Sequence, residues 1–166
     1  MHKLYCDKSE LSVGQLYLLD ICDRRKITEF WNSKLNQQFT VGYLMNVASG
    51  KYKIPSLKFI NSMVPFVKPD LWFYTEKEYA DMFDFYFPIK DEEIVTDIRL
   101  SKNFCFIMKI YEEKQLWTYC MEKFDKDKFQ NMYMIFFHIV KGRNSVSPVL
   151  INELKPILKV QDWFRK

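Results

Sequence analysis

The chain has 166 residues, is 48% apolar and 28% charged, and contains only four glycines. That composition closes one sizeable core or two small ones, and it excludes both a disordered tail and a large multidomain enzyme. The formal charge of +4 is modest but uneven: Phe30 to Pro69 carries Lys34, Lys51, Lys53, Lys58 and Lys68 and no acid, whereas Asp70 to Asp97 carries nine acids against Lys77 and Lys90. The remainder is basic again, with no acid between Lys128 and Asn152. A long acid-free stretch is what a surface laid against phosphates looks like, and a lysine-solvated face is its plain alternative.

The longest uncharged apolar-rich run, Phe129 to Val140, falls well short of the roughly 20 residues a bilayer span needs, so no membrane segment is expected. The start, MHKLYCDKSEL, has no apolar core of a signal peptide, and Cys6, Cys22, Cys105 and Cys120 form no closely spaced pair. Reduced, partly buried thiols in a cytoplasmic protein are the expectation, with no cofactor and no metal.

Taken in chain order, Val13, Leu16, Tyr17, Leu19, Ile21 and Ile27 recur at roughly helical spacing after Ser12, an N-cap, so residues 12–26 read as a first helix. Thr28 opens a short second helix, TEFWNSKLN, and Gln37-Gln38-Phe39 reads as a turn. Thr40 caps a third helix, TVGYLMNVAS, which stops at Gly50. Pro55 and Ser56 start a fourth, SLKFINSMVPFV, distorted or ended by Pro65. The following segment, residues 70–87, reads as a short fifth helix or an aromatic strap.

The chain also resembles itself. FINSMVPFVKPDLWF at 59–73 aligns without a gap on LINELKPILKVQDWF at 150–164, sharing Ile60/Ile151, Asn61/Asn152, Pro65/Pro156, Lys68/Lys159, Trp72/Trp163 and Phe73/Phe164. With one inserted residue Gly50 matches Gly142 and Lys51 matches Arg143. The expected fold is mainly α: a first helical unit over 1–86, an acidic linker over 87–101, and a second unit over 102–166 that is a degenerate repeat of the first. Short strands in Glu93–Arg99 or Phe104–Ile110 are the alternative in that second half.

The order helix, short helix, turn, helix, Gly-Lys loop and Pro-Ser helix has a counterpart. Residues 12–74, above all FTVGYLMNVASGKYKIPSLKFINSM, resemble the lambda-repressor/Cro-type helix-turn-helix family. The usual glycine of the tight turn is replaced here by Asn36-Gln37-Gln38, and the usual small alanine of the second helix is missing. The resemblance implies sequence-specific binding of double-stranded DNA by a non-catalytic transcriptional regulator of bacterial, phage or plasmid type. A helix entering the major groove needs exposed hydrogen-bonding side chains, an apolar back and flanking cations. Leu44 and Val47 supply the back. Thr40, Val41, Tyr43 and Asn46 face out toward bases, while Lys51, Lys53, Gln37 and Gln38 meet phosphates.

The corresponding helix of the second half, QNMYMIFFHIVKGR, is apolar through Met132, Met134, Ile135, Phe136 and Phe137, which suits packing, homodimerisation or a protein partner. Catalytic patterns are poor: His2 is terminal, His138 sits in that apolar helix, and the glycines are too scattered for a phosphate loop. Pro69-Asp70 with Glu112-Glu113-Lys114 only loosely matches a metal-dependent nuclease pattern. The rival reading is a small phage-type inhibitor of a host defence enzyme that carries a helix-turn-helix domain, with the acidic segment 70–97, including Asp91, Glu92 and Glu93, imitating nucleic acid toward a basic partner.

Overall fold

In the computed structural model, which describes residues 3–82 and 88–166, Ser12, Thr40 and Ser56 each cap a helix through the side-chain oxygen. Ser12 accepts from the Gln15 N–H at the start of α1 (Val13–Asp23), Thr40 from Tyr43 at the start of α3 (Val41–Ala48), and Ser56 from Phe59 at the start of α4 (Leu57–Ser62). The second helix, α2 (Ile27–Ser33), begins at Ile27 after Lys26 with no side-chain cap, so Thr28 lies inside it. Pro65 does not distort α4, because that helix has already ended at Ser62. A 3-10 turn (Pro69–Trp72) and α5 (Glu76–Asp81), capped by Thr75, follow. The aromatic run 83–87 lies outside the described residues.

These elements belong to the first of two compact units, Met1–Pro88 and Ile89–Lys166. Its core is Leu18, Leu44, Val47, Phe59, Ile60, Met63 and Trp72, all fully buried. Each side chain of this size removed from water contributes about 1.5–3 kcal/mol. Gly14 is where α1 meets the Trp72 ring: a Cβ there would lie 2.5 Å from the indole, so only glycine lets the helix approach. The Val13 N–H donates to the Tyr74 carbonyl (2.9 Å), fastening the segment between the 3-10 turn and α5 onto the start of α1.

The second unit holds α6 (Lys102–Glu112), α7 (Leu116–Lys123), α8 (Phe129–Val140) and α9 (Pro148–Glu153), then a 3-10 turn (Val160–Trp163). The segment expected to be an acidic linker is part of this unit. Ile89 and Val95 are buried among its acids, and the Val95 N–H donates to Phe164 (2.8 Å). Strand formation there is limited to a bridge between Ile94 and Arg165, and Phe104–Ile110 lies wholly within α6. The described residues are therefore mainly helical. Among them, no helix is long and apolar enough to cross a membrane.

Both units present the same succession. An eleven-residue helix capped by serine, Ser12 or Ser101, runs to a left-handed residue, Arg25 (φ 58°) or Lys114 (φ 61°). After a short helix and a longer one comes a left-handed glycine, Gly50 (φ 78°) or Gly142 (φ 68°). A six-residue helix capped by Ser56 or Ser147 then leads to a 3-10 turn that ends on a fully buried tryptophan, Trp72 or Trp163.

Candidate nucleic-acid interface

The turn between α2 and α3 is built without glycine. Asn36 (φ 46°) and Gln37 (φ 59°) both adopt the left-handed conformation, which asparagine tolerates and which costs a residue such as glutamine about 1–2 kcal/mol. Two contacts hold the turn in place: the Trp31 indole N–H donates to the Phe39 carbonyl, and the Gln37 Nε2 donates to Asn32 Oδ1 (2.8 Å). Gln38 Oε1 accepts from the Ser62 hydroxyl (3.2 Å), linking the turn to α4.

Within α3, Leu44 and Val47 are fully buried, as the spacing predicts. The opposite face is less free than the sequence suggests. Thr40 is exposed, but its hydroxyl is the helix cap. Val41 is half-buried. Tyr43 is half-buried too, its ring against Phe39 (5.4 Å between centroids), Tyr52 (5.5 Å) and Phe59 (5.4 Å). The Tyr43 hydroxyl accepts from the Ser56 N–H (3.1 Å) and donates to Ser56 Oγ (3.3 Å). Tyr43 thus seats the loop after α3 against α4, and its donor and acceptor are already used. Gly42 is exposed and Asn46 half-buried, which leaves a helix surface with few side chains between its backbone and an approaching ligand.

The chain flanking α3 carries exposed Gln37, Gln38, Lys34, Lys51, Lys53 and Lys58. None of the four lysines pairs with a carboxylate among the described residues. Lys51 Nζ lies 5.8 Å from the Tyr5 ring centroid and Lys58 Nζ 5.9 Å from that of Phe39, contacts that guide the stems while the charged ends stay in water. Lys58 is an exposed cation of α4. Its signal was the same as that of Lys51 and Lys53, an acid-free neighbourhood, yet it stands outside the set named from sequence.

Gln15 is the positioning residue that the sequence did not single out. Fully enclosed at 2% exposure, its Nε2 donates to the carbonyls of Val47 (3.0 Å) and Tyr52 (2.9 Å), while Oε1 accepts from the Ser12 N–H (2.9 Å). It ties α1 to the end of α3 and to the Lys51–Lys53 loop. The signal available was a Ser-x-x-Gln capping box on the apolar face of a helix.

Elsewhere, burial pushes the Cys22 and Cys120 thiols up to about 11, so both are poor nucleophiles at neutral pH. All four cysteines are free. His138 is half-buried against the Phe137 ring. Asp70 of the nuclease-like pattern is fully buried whereas Glu112 is exposed, and no group of three or more potential metal ligands occurs among the described residues. No family model, curated protein or solved structure matches this chain.

Proposed function

We propose that the first unit is a helix-turn-helix module of the lambda-repressor/Cro kind that binds double-stranded DNA, and that the chain is a non-catalytic transcriptional regulator. One observation carries the reading: α3 presents an exposed Gly42 and a half-buried Asn46, and the chain on either side of it, from Phe30 to Pro69, carries the exposed cations Lys34, Lys51, Lys53 and Lys58 and no acid. In this reading Asn46 and Gln38 address base edges, because the backbone at Gly42 can approach the groove closely. The lysines and Gln37 hold the phosphates. Tyr43 and Thr40, read from sequence as base contacts, shape the surface instead.

We read the two units as copies of one module; their shared order of caps, left-handed glycines and buried tryptophans supports this. In the second, α8 carries Met134 and His138 where α3 carries Gly42 and Asn46, with Met132, Ile135, Phe136 and Phe137 on the same helix, so we read it as serving packing, self-association or a protein partner.

The test is salt-dependent binding to duplex DNA. Each phosphate contact adds about 0.9 to the magnitude of the slope of log K against log salt, so Lys51→Gln and Lys53→Gln should each flatten it by about that amount. Unchanged slopes would remove this face from the interface. The inhibitor reading rests on the exposed Phe106, Trp117, Met121 and Met134 of the second unit. It predicts that substitutions there, or at Asp91, Glu92 and Glu93, abolish activity while the lysine variants are silent.

A further inference from the structure

Three aromatic rings of the second unit converge on one cleft. Tyr111 stands in the last turn of α6, Trp117 in the first turn of α7 and Tyr133 in α8, and together with Leu116, Glu112 and Lys114 they line a cleft of about 330 Å³. The Trp117 and Tyr133 rings meet nearly at right angles (77°, 5.0 Å between centroids), so they form adjoining walls. Leu116 is buried at 2% exposure, Tyr111 and Tyr133 are half-buried, and Trp117 is 42% exposed. The volume lies at the lower end of the range of small-molecule sites, room for a headgroup between apolar walls.

Aromatic faces attract a cation that comes within about 6 Å of the ring centroid. The same cluster already holds one internally: Lys141 Nζ lies 5.1 Å from the Tyr111 centroid and 5.9 Å from that of Phe137, the ring that stacks on Tyr133 (6.1 Å). Two charges at the cleft point the same way. Glu112 is exposed and makes no ion pair among the described residues, its neighbour Glu113 being the partner of Lys109 (3.9 Å). Tyr111 and Glu112 also close α6, an eleven-residue helix whose C-terminus carries about half a negative charge. Lys114 is the opposing charge, yet it is exposed and its ammonium lies over none of the three rings. A primary ammonium is strongly hydrated, and one carboxylate does not replace its water. A fully methylated ammonium has no N–H to satisfy and presents methyl groups to the rings.

We propose that this cleft binds a trimethylammonium group, its methyls against the Tyr111, Trp117 and Tyr133 rings and its charge beside Glu112. Free choline and a trimethylated lysine side chain both present that group. The site does not depend on DNA binding by the first unit, and its failure leaves that reading untouched.

The experiment titrates the full chain with choline and follows the Trp117 indole N–H resonance, with 3,3-dimethylbutan-1-ol as the neutral ligand of the same shape and methylammonium as the unmethylated cation. Saturable shifts are expected with a dissociation constant on the order of 1 mM for so small a ligand. The neutral alcohol binds about fivefold more weakly, and methylammonium more weakly still. Glu112→Gln weakens choline binding roughly twofold to fivefold and Tyr133→Leu by at least as much, while unshifted indole resonances of the buried Trp72 and Trp163 report an intact fold. Titration with an N-acetylated trimethyllysine amide separates the sources: binding tighter than that of choline assigns the group to a modified side chain, weaker binding to a free small molecule. Absence of saturable shifts in the unsubstituted chain overturns the proposal whatever the variants do. Equal binding of the neutral alcohol or of methylammonium overturns it as well, and so does unchanged affinity in both folded variants.

Discussion

Replacing Gly50 and Gly142 separately by alanine probes how tightly each unit is built behind its longer helix. Both glycines follow a helix C-terminus in the left-handed conformation, at φ 78° and 68°, so alanine costs each about 1–2 kcal/mol in backbone energy alone. What surrounds them differs. A Cβ on Gly50 would lie 2.6 Å from Cys6 Sγ and 2.8 Å from Leu11 Cδ2, whereas a Cβ on Gly142 meets nothing within 4 Å. Leu11 is itself buried at 1% exposure and cannot swing away, so Gly50→Ala adds an overpacking cost of about 1–3 kcal/mol. The expected totals are about 2–5 kcal/mol for Gly50→Ala and 1–2 for Gly142→Ala. Hydrogen exchange of the α3 and α8 amides, followed in both variants, reads the two units separately. The double variant Cys6→Ala/Gly50→Ala should recover part of the excess. Equal costs at the two sites, or a larger one at Gly142, would refute the packing argument.

Other consequences are as direct. Gln15→Leu leaves the carbonyls of Val47 and Tyr52 without their donor and should lower stability by about 2–4 kcal/mol in denaturant unfolding, while loosening the Lys51–Lys53 loop. Gly14→Ala drives a methyl to within 2.5 Å of the Trp72 ring and should cost at least about 1–3 kcal/mol, seen as a lowered Tm with an altered tryptophan emission. The Cys22 and Cys120 thiols are held near 11 in the folded chain against 9.0 for an ordinary thiol. Because the raised value favours the neutral form of the folded state, their contribution is complete below pH 9 and is lost as pH rises toward 11. Stability should therefore fall across that window, and Cys22→Ala/Cys120→Ala should flatten the fall. Native alkylation at neutral pH should modify exposed Cys105 before either buried thiol.

How much of this was legible in the sequence depended on the range of the interaction. Ser12, Thr40 and Ser56 cap their helices through oxygen-to-amide contacts three residues away, and Gly50 stops α3 because its own φ requires it; such signals are local and were readable. The role of Tyr43 was not, because its partner Ser56 lies thirteen residues on and enters only once the loop folds back. The same holds for Gln15, whose acceptors are 32 and 37 residues distant. The acids of segment 87–101 suggested a solvated linker, yet two of its apolar residues, Ile89 and Val95, decide its fate by entering the second core. The turn at Asn36-Gln37 shows the limit from the other side: a left-handed pair without glycine carries no composition signal, and neighbouring contacts such as Trp31 to Phe39 hold it.

The central claim concerns DNA, and selection from random duplex DNA near physiological salt tests it most directly, with Lys51→Glu carried through the same rounds. The account predicts enrichment of a defined site by the unsubstituted chain and its loss in the variant, since a reversed charge beside α3 repels the backbone that positions the helix. Weak, salt-labile retention with no enriched sequence, or equal enrichment by Lys51→Glu, would contradict it.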